Sequence, residues 1–172
     1  MEGGRCMRVY ISGQIGELEP SPSTIEKFAK AEEKLSARGF DVFNPISRDA
    51  SKCAKKILEE IEKAHLEEGT CLPDIYSIIL TMDIHQLSHC HAIYLLADFP
   101  YSPGARAEQA FAKATKKKCF FQDAFHARLN LMYEYDDLVA SGKPPLQRED
   151  GENDSDLRDR YVRMHLEEIL IP

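Results

Sequence analysis

YLLADFPYSPGARAEQAFAKATKKKCFFQ, residues Tyr94–Gln122, carries the pattern that decides the fold. An apolar run from Ala92 to Ala97 reads as a buried strand. A Pro/Ser/Gly turn follows, then an amphipathic helix, then a second apolar run at Cys119–Phe121. Strand, turn, helix, strand is a βαβ unit, and open α/β sheets bind ligands at the carboxyl ends of their strands. The turn Ser102-Pro103-Gly104-Ala105 offers a hydroxyl, a proline suited to a first helical position, a glycine for close approach and backbone N–H groups at a helix start. Those features suit an anion. Arg106, in the same turn, is a further candidate to pair with one. Glu108 stands one turn into the helix, where a site for phosphate alone has no use for a carboxylate.

Upstream, Arg8–Ser12 reads as a short buried strand ended by Gly13-Gln14-Ile15-Gly16. The glycine spacing is neither G-x-G-x-x-G nor a P-loop, so a dinucleotide fingerprint is not supported and a plain βα turn is the simpler reading. A helix opens near Pro22-Ser23-Thr24, with Ser23 or Thr24 as its cap, and runs to Gly39. Phe40–Phe43 forms the next strand, closed by Asn44-Pro45, giving a right-handed crossover in a parallel sheet. Residues 49–68 form an exposed helix, Gly69–Pro73 a break, and Asp74–His89 a helix that turns Ile75, Ile78, Ile79, Met82 and Leu87 inward. Phe125–Val139 is a further helix, Ser141–Asp156 has the polar, acidic composition of a mobile loop, and Leu157–Ile171 a terminal helix. Met1–Met7 reads as a loose leader.

The chain therefore reads as one α/β domain, residues 1–172, a flavodoxin-like three-layer α/β/α sandwich around a mainly parallel sheet of four or five strands. Its core spans 8–122, with a helical extension at 123–140 and 157–171. A net charge of −7 among 172 residues disfavours duplex nucleic acid and anionic membranes, which need clustered Lys and Arg. No apolar run reaches the length of a membrane helix, and no signal peptide opens the chain. Five cysteines without C-x-x-C spacing suggest reduced thiols in a cytoplasmic setting.

Four groups could carry chemistry. Glu108 could attack or stabilise an anomeric carbon, or simply complement its helix dipole. Asp83 lies toward the end of the helix that precedes the central strand, so a straight-helix picture places it at the amino edge of the sheet, as an exposed acid. His85 and His89 are one helical turn apart and could share a metal, but no third ligand is evident and His91 begins a strand. Lys113 and Lys116–Lys118 sit at a helix C-terminus, where the dipole alone accounts for them.

Taken together, Tyr10-Ile11-Ser12-Gly13-x-Ile15, then Phe28-x-x-Ala31-Glu32-x-x-Leu35-x-x-x-Gly39-x-x-Val42-x-Asn44-Pro45, then Asp83-x-x-x-Leu87, then Ser102-x-Gly104-Ala105-x-x-Glu108-x-x-x-Ala112 resembles the nucleoside 2-deoxyribosyltransferase superfamily. The turn is also similar to that of the nucleoside 5'-monophosphate N-glycosidases. The resemblance covers about residues 8–122. It implies that Glu108 is the nucleophile at C1', that Tyr10 holds its carboxylate, and that Asp83 lies near sugar and base. It places Ser12, Gly13 and Ile15 against the sugar and base and Asn44 among the binding residues. Ser102 and Gly104 match the turn that holds the 5'-phosphate in the monophosphate-acting members, and Ala105 and Arg106, from the chemistry of the turn itself, are candidates beside them. It implies no cofactor and no metal, a nucleoside or nucleotide as the small-molecule partner, and a homodimer or larger assembly. His91 replaces an acidic residue frequent in the superfamily, Phe99 stands near a usual Trp, and the 44–74 segment is longer, so the base is left open. Two other classes are compatible with the residues: a nucleotide-binding module that leaves its ligand unchanged, and a metal-dependent hydrolase built on His85 and His89.

Overall fold

The computed structural model describes residues 6–16, 20–68 and 74–172. Most of the leader and the Gly69–Pro73 break expected from sequence lie outside them. The chain forms an α/β fold of the flavodoxin-like sandwich type, with four parallel strands and six helices among the described residues. By packing it divides into two compact units, Met1–Cys119 and Phe120–Pro172.

Strand β1 (Arg8–Ser12) and strand β3 (Ala92–Leu95) lie at the centre of a sheet ordered β2-β1-β3-β4, with β2 (Asp41–Phe43) and β4 (Lys118–Phe121) at its edges. Central parallel strands are covered on both faces, so they need continuous rather than alternating apolar character. Val9, Ile11, Ile93 and Leu95 are accordingly sealed from solvent. The strand order reverses between β1 and β3, which opens a crevice beyond their carboxyl ends.

Helix α1 (Pro22–Ala37) buries Phe28, Ala31 and Leu35 at helical spacing. Its cap is Ser21, one residue before the proline rather than after it: the Ser21 hydroxyl accepts from Thr24 N at 3.2 Å. Pro22 occupies the first helical position, where its missing N–H costs nothing. Helix α2 (Arg48–Glu68) carries the charged stretch, and α3 (Ile75–Ser88) is capped by Asp74. The C-terminus of α3 is held by Lys117, whose Nζ donates to Cys90 O at 2.6 Å and Ser88 O at 3.0 Å. A 3₁₀ turn over Phe99–Tyr101 intervenes before α4 (Pro103–Ala114).

In the second unit, α5 (Ala124–Ala140) and α6 (Asp154–Ile169) pack around Leu131, Tyr135, Leu157, Tyr161 and Val162. Helix α6 starts three residues earlier than its apolar pattern suggests. Asn153 and Asp156 form a reciprocal capping box, so its first turn is wholly polar. The segment before it is tied down by Arg160, which donates to Gln147 O and Glu152 and pairs with Glu149.

Candidate active site

The crevice beyond β1 and β3 is a cavity of about 420 Å³, within the size range of small-molecule sites. Glu108 lies on its wall. On α4, Ala105, Glu108 and Ala112 share the buried face, as the 3.6-residue repeat requires, and Glu108 is only 5% exposed. A buried carboxylate needs partners, and β1 supplies them from alternate residues of one strand face. The Tyr10 hydroxyl donates to Glu108 Oε1 at 2.8 Å, and the Ser12 hydroxyl donates to Oε2 at 2.5 Å. Both donors are themselves 1% exposed. Tyr10 also stacks on Phe43, with ring centroids 5.6 Å apart, which fixes the phenol.

Burial pushes the Glu108 carboxyl up to about 7; the Ser12 hydrogen bond opposes this, the Asp83 charge adds to it, and the Tyr10 hydrogen bond opposes it again. Burial likewise raises Asp83 to about 6, against a lowering contact with the Tyr10 hydroxyl. Tyr10 is raised well above its ordinary value, by burial first and then by the Glu108 charge. The phenol has one proton and two carboxyl neighbours, so Glu108, Tyr10 and Asp83 titrate as a coupled group.

Asp83 departs from the simple helix picture, which placed it as an exposed acid away from the ligand edge. It lines the cavity, and the reason is length. Five residues of helix separate it from the end of α3, a climb of roughly 7 Å at 1.5 Å per residue. The strands beside it have only four or five residues, so that climb reaches the upper half of the sheet. Ile75, Ile79 and Asp83 follow at i, i+4 and i+8, with Tyr76 and Leu80 beside them, and this whole stripe faces the cavity. Ile75 and Ile79, expected in the core, are therefore wall residues, and Ile75 is 50% exposed.

Of the other residues expected from sequence, Ser12, Gly13 and Ile15 line the cavity on the β1 side, and Ser102, Gly104 and Ala105 on the α4 side. Gly13 sits in close packing: a Cβ there would lie 2.7 Å from Leu96 Cδ1 and 3.0 Å from Leu96 Cβ and Asp98 Oδ1, so a side chain would force its neighbours to shift. Asn44 and Arg106 do not line it. The Asn44 amide donates to Glu32 Oε2 at 2.8 Å and its Oδ1 accepts from Ile46 N at 3.1 Å, an Asx turn that ends β2 and lays Pro45 on the wall. Arg106 is two residues from Glu108, about 200° around the helix at 3.6 residues per turn, and is exposed. The expected cradle of backbone donors also contracts. Pro103 has no N–H, Ala105 N donates to the Ser102 hydroxyl at 3.2 Å, and Arg106 N donates to Ser102 O. The Gly104 N–H and the Ser102 hydroxyl proton remain.

Four contributors were not legible as site residues. Tyr76 and Tyr101 border the cavity and are 52% and 77% exposed. Lys27 and Asp98 form an ion pair and both grip Gln14: Lys27 Nζ donates to Gln14 O at 2.8 Å, and Gln14 N donates to Asp98 Oδ1 at 3.2 Å. His85 and His89 meet edge to face, 4.8 Å between ring centroids, both exposed and outside the cavity lining. Among the described residues no three His, Cys, Asp or Glu side chains gather as a metal site. His91 Nδ1 accepts from Arg8 N at 3.0 Å at the opposite, amino edge of the sheet.

A family model described as a domain of unknown function, DUF4406, matches residues 7–121, which include every residue of this cavity. The chain belongs to the DUF4406 family. Its match covers β1 through β4, so the Tyr10–Ser12–Glu108 cluster and the Asp83 stripe both fall within the DUF4406 region. Neither a curated protein nor a solved structure matches the chain.

Proposed function

We propose that this DUF4406 protein cleaves or transfers the N-glycosidic bond of a nucleoside or nucleoside 5'-monophosphate, ribo or deoxy, with Glu108 as nucleophile. The observation that carries this reading is the Glu108 carboxylate, nearly sealed from bulk water, gripped at both oxygens by Tyr10 and Ser12 and set on the wall of a ligand-sized cavity. A structural glutamate on α4 could be exposed or replaced by an apolar residue. One held ionisable and oriented at a cavity wall is arranged for chemistry. The sequence resemblance to nucleoside 2-deoxyribosyltransferases supports the same assignment.

In this reading a Glu108 oxygen attacks C1' as the bond from C1' to the base nitrogen breaks. The bonding pair leaves on the base, which takes a proton from Asp83 or from water. The resulting glycosyl ester is then opened at C1' by water or by the nitrogen of a second base, and the Glu108 carboxylate is restored. Tyr10 keeps the nucleophile in line, and Ser12 stabilises its charge. The raised Asp83 carboxyl, titrating close to neutrality, suits a proton donor.

Incubation with a panel of nucleosides and their 5'-monophosphates, followed by chromatography, tests the assignment. Free base should accumulate with the wild-type protein, and Glu108→Gln, which keeps shape and one acceptor, should lower the rate by at least about a thousandfold. Base release that survives this substitution removes Glu108 from the chemistry.

A further inference from the structure

We infer that the ligand of this cavity is uncharged at its 5' end: a neutral nucleoside fits the site, and a nucleoside monophosphate is disfavoured. The inference rests on the reading above and narrows its substrate class. It runs against the phosphate-holding role that the Ser102–Arg106 turn suggests in sequence.

Charge inside the cavity is the reason. Among the described residues that line it, Glu108 and Asp83 are acidic, and none is Lys, Arg or His. The one cation expected there, Arg106, is exposed on the far side of α4. Lys27, close to the Gln14 loop, is already paired with Asp98. A phosphate dianion would meet two carboxyl groups across a cavity wall of low polarity, where like charges repel much more strongly than in water.

Among the described residues, the N-terminus of α4 is the feature most suited to an anion, and most of it is committed. Its partial positive charge faces Glu108 one turn along the same helix, which complements it. Of its first donors, Pro103 supplies none, Ala105 N is capped by Ser102, and Arg106 N bonds to Ser102 O. The Gly104 N–H, the Ser102 hydroxyl and the nearby Tyr76 hydroxyl suit a sugar hydroxyl, but no cation stands among them to balance the charge of a phosphate. The Tyr76 hydroxyl lies close to Gly104, 3.1 Å from where a Cβ on that residue would be. Around it, Ile75, Ile79, Leu80 and the rings of Tyr76 and Tyr101 offer apolar and aromatic surface to a neutral, flat ligand.

The test compares matched pairs, each nucleoside against its own 5'-monophosphate, in turnover and in equilibrium binding by calorimetry. Cleavage of the nucleoside with kcat/KM roughly a hundredfold above that of its monophosphate is expected. Equal or faster cleavage of the monophosphate overturns this inference while leaving the Glu108 chemistry intact. If neither is cleaved, the Proposed function fails, and binding decides separately. Tighter binding of the nucleoside sustains the neutral-ligand inference; equal or tighter binding of the monophosphate, or no binding of either, overturns it. Asp83→Asn supplies the electrostatic control. Removing one carboxyl should narrow the binding preference for the nucleoside roughly tenfold, and an unchanged preference overturns the charge argument.

Discussion

Glu108 concentrates the physical cost of the site. A carboxyl raised to about 7 in the folded chain but ordinary when unfolded binds its proton more tightly in the native state. Its stabilising contribution is complete at pH values below the unfolded value, near 4.5, and is lost as the pH rises through about 7. At pH 8 the native state must hold a nearly buried charge, a penalty on the order of 3 kcal/mol at about 1.36 kcal/mol per pH unit. Glu108→Gln removes that penalty while keeping the shape. Thermal melting should therefore show the variant several degrees more stable than wild type at pH 8, with the difference shrinking toward zero at pH 5. A difference that is constant with pH would mean that Glu108 is not held as described. The residue was legible in sequence because a turn with Ser, Pro and Gly placed a carboxylate one helical turn behind a strand end. The partners that make it unusual, Tyr10 and Ser12, lie nearly a hundred positions away, and only the resemblance brought Tyr10 to it.

At the scale of elements, β1, α3 and α4 form the cavity, and two of the three were easier to read than the third. An apolar stripe at i, i+4 and i+8 looks the same whether it faces a core or a cavity, so the Ile75–Asp83 face of α3 could not be recognised as a wall from periodicity. The same limit hid the clamp beneath the β1 loop. Lys27 on α1 and Asp98 after β3 are separated by 71 positions, and neither belongs to a motif. Together they hold both the N–H and the carbonyl of Gln14, at the middle of the Gly13–Gly16 wall. Asp98→Asn keeps one acceptor but abolishes the ion pair. Its expected effect is a KM raised about tenfold with kcat changed less than about threefold, because the loop contacts ligand while Glu108 is positioned by β1. A loss confined to kcat would place Asp98 in the chemistry instead.

For the molecule as a whole, the α/β class and the strand sequence were readable because parallel central strands announce themselves as unbroken apolar runs. Val9–Ile11 and Ala92–Leu95 are such runs, and both are buried. The C-terminal fifty residues were read less well at their polar joints, where capping and ion pairs rather than apolar spacing set the structure. Arg160 shows this: an acidic stretch with the composition of a mobile loop is tied by its guanidinium to Glu149, Glu152 and Gln147 O. Arg160→Ala should speed amide hydrogen exchange across residues 144–153 at least about tenfold. Unchanged protection there would show that the arginine does not order the segment. The central claim, that Glu108 carries the sugar, is tested most directly by intact-protein and peptide mass spectrometry after exposure to a 2'-deoxy-2'-fluoro nucleoside. Its fluorine slows both steps by destabilising the cationic transition state. The expected result is an added fluorodeoxyribosyl mass on the peptide containing Glu108, absent from Glu108→Gln; free base released with no adduct, or an adduct on another residue, would contradict it.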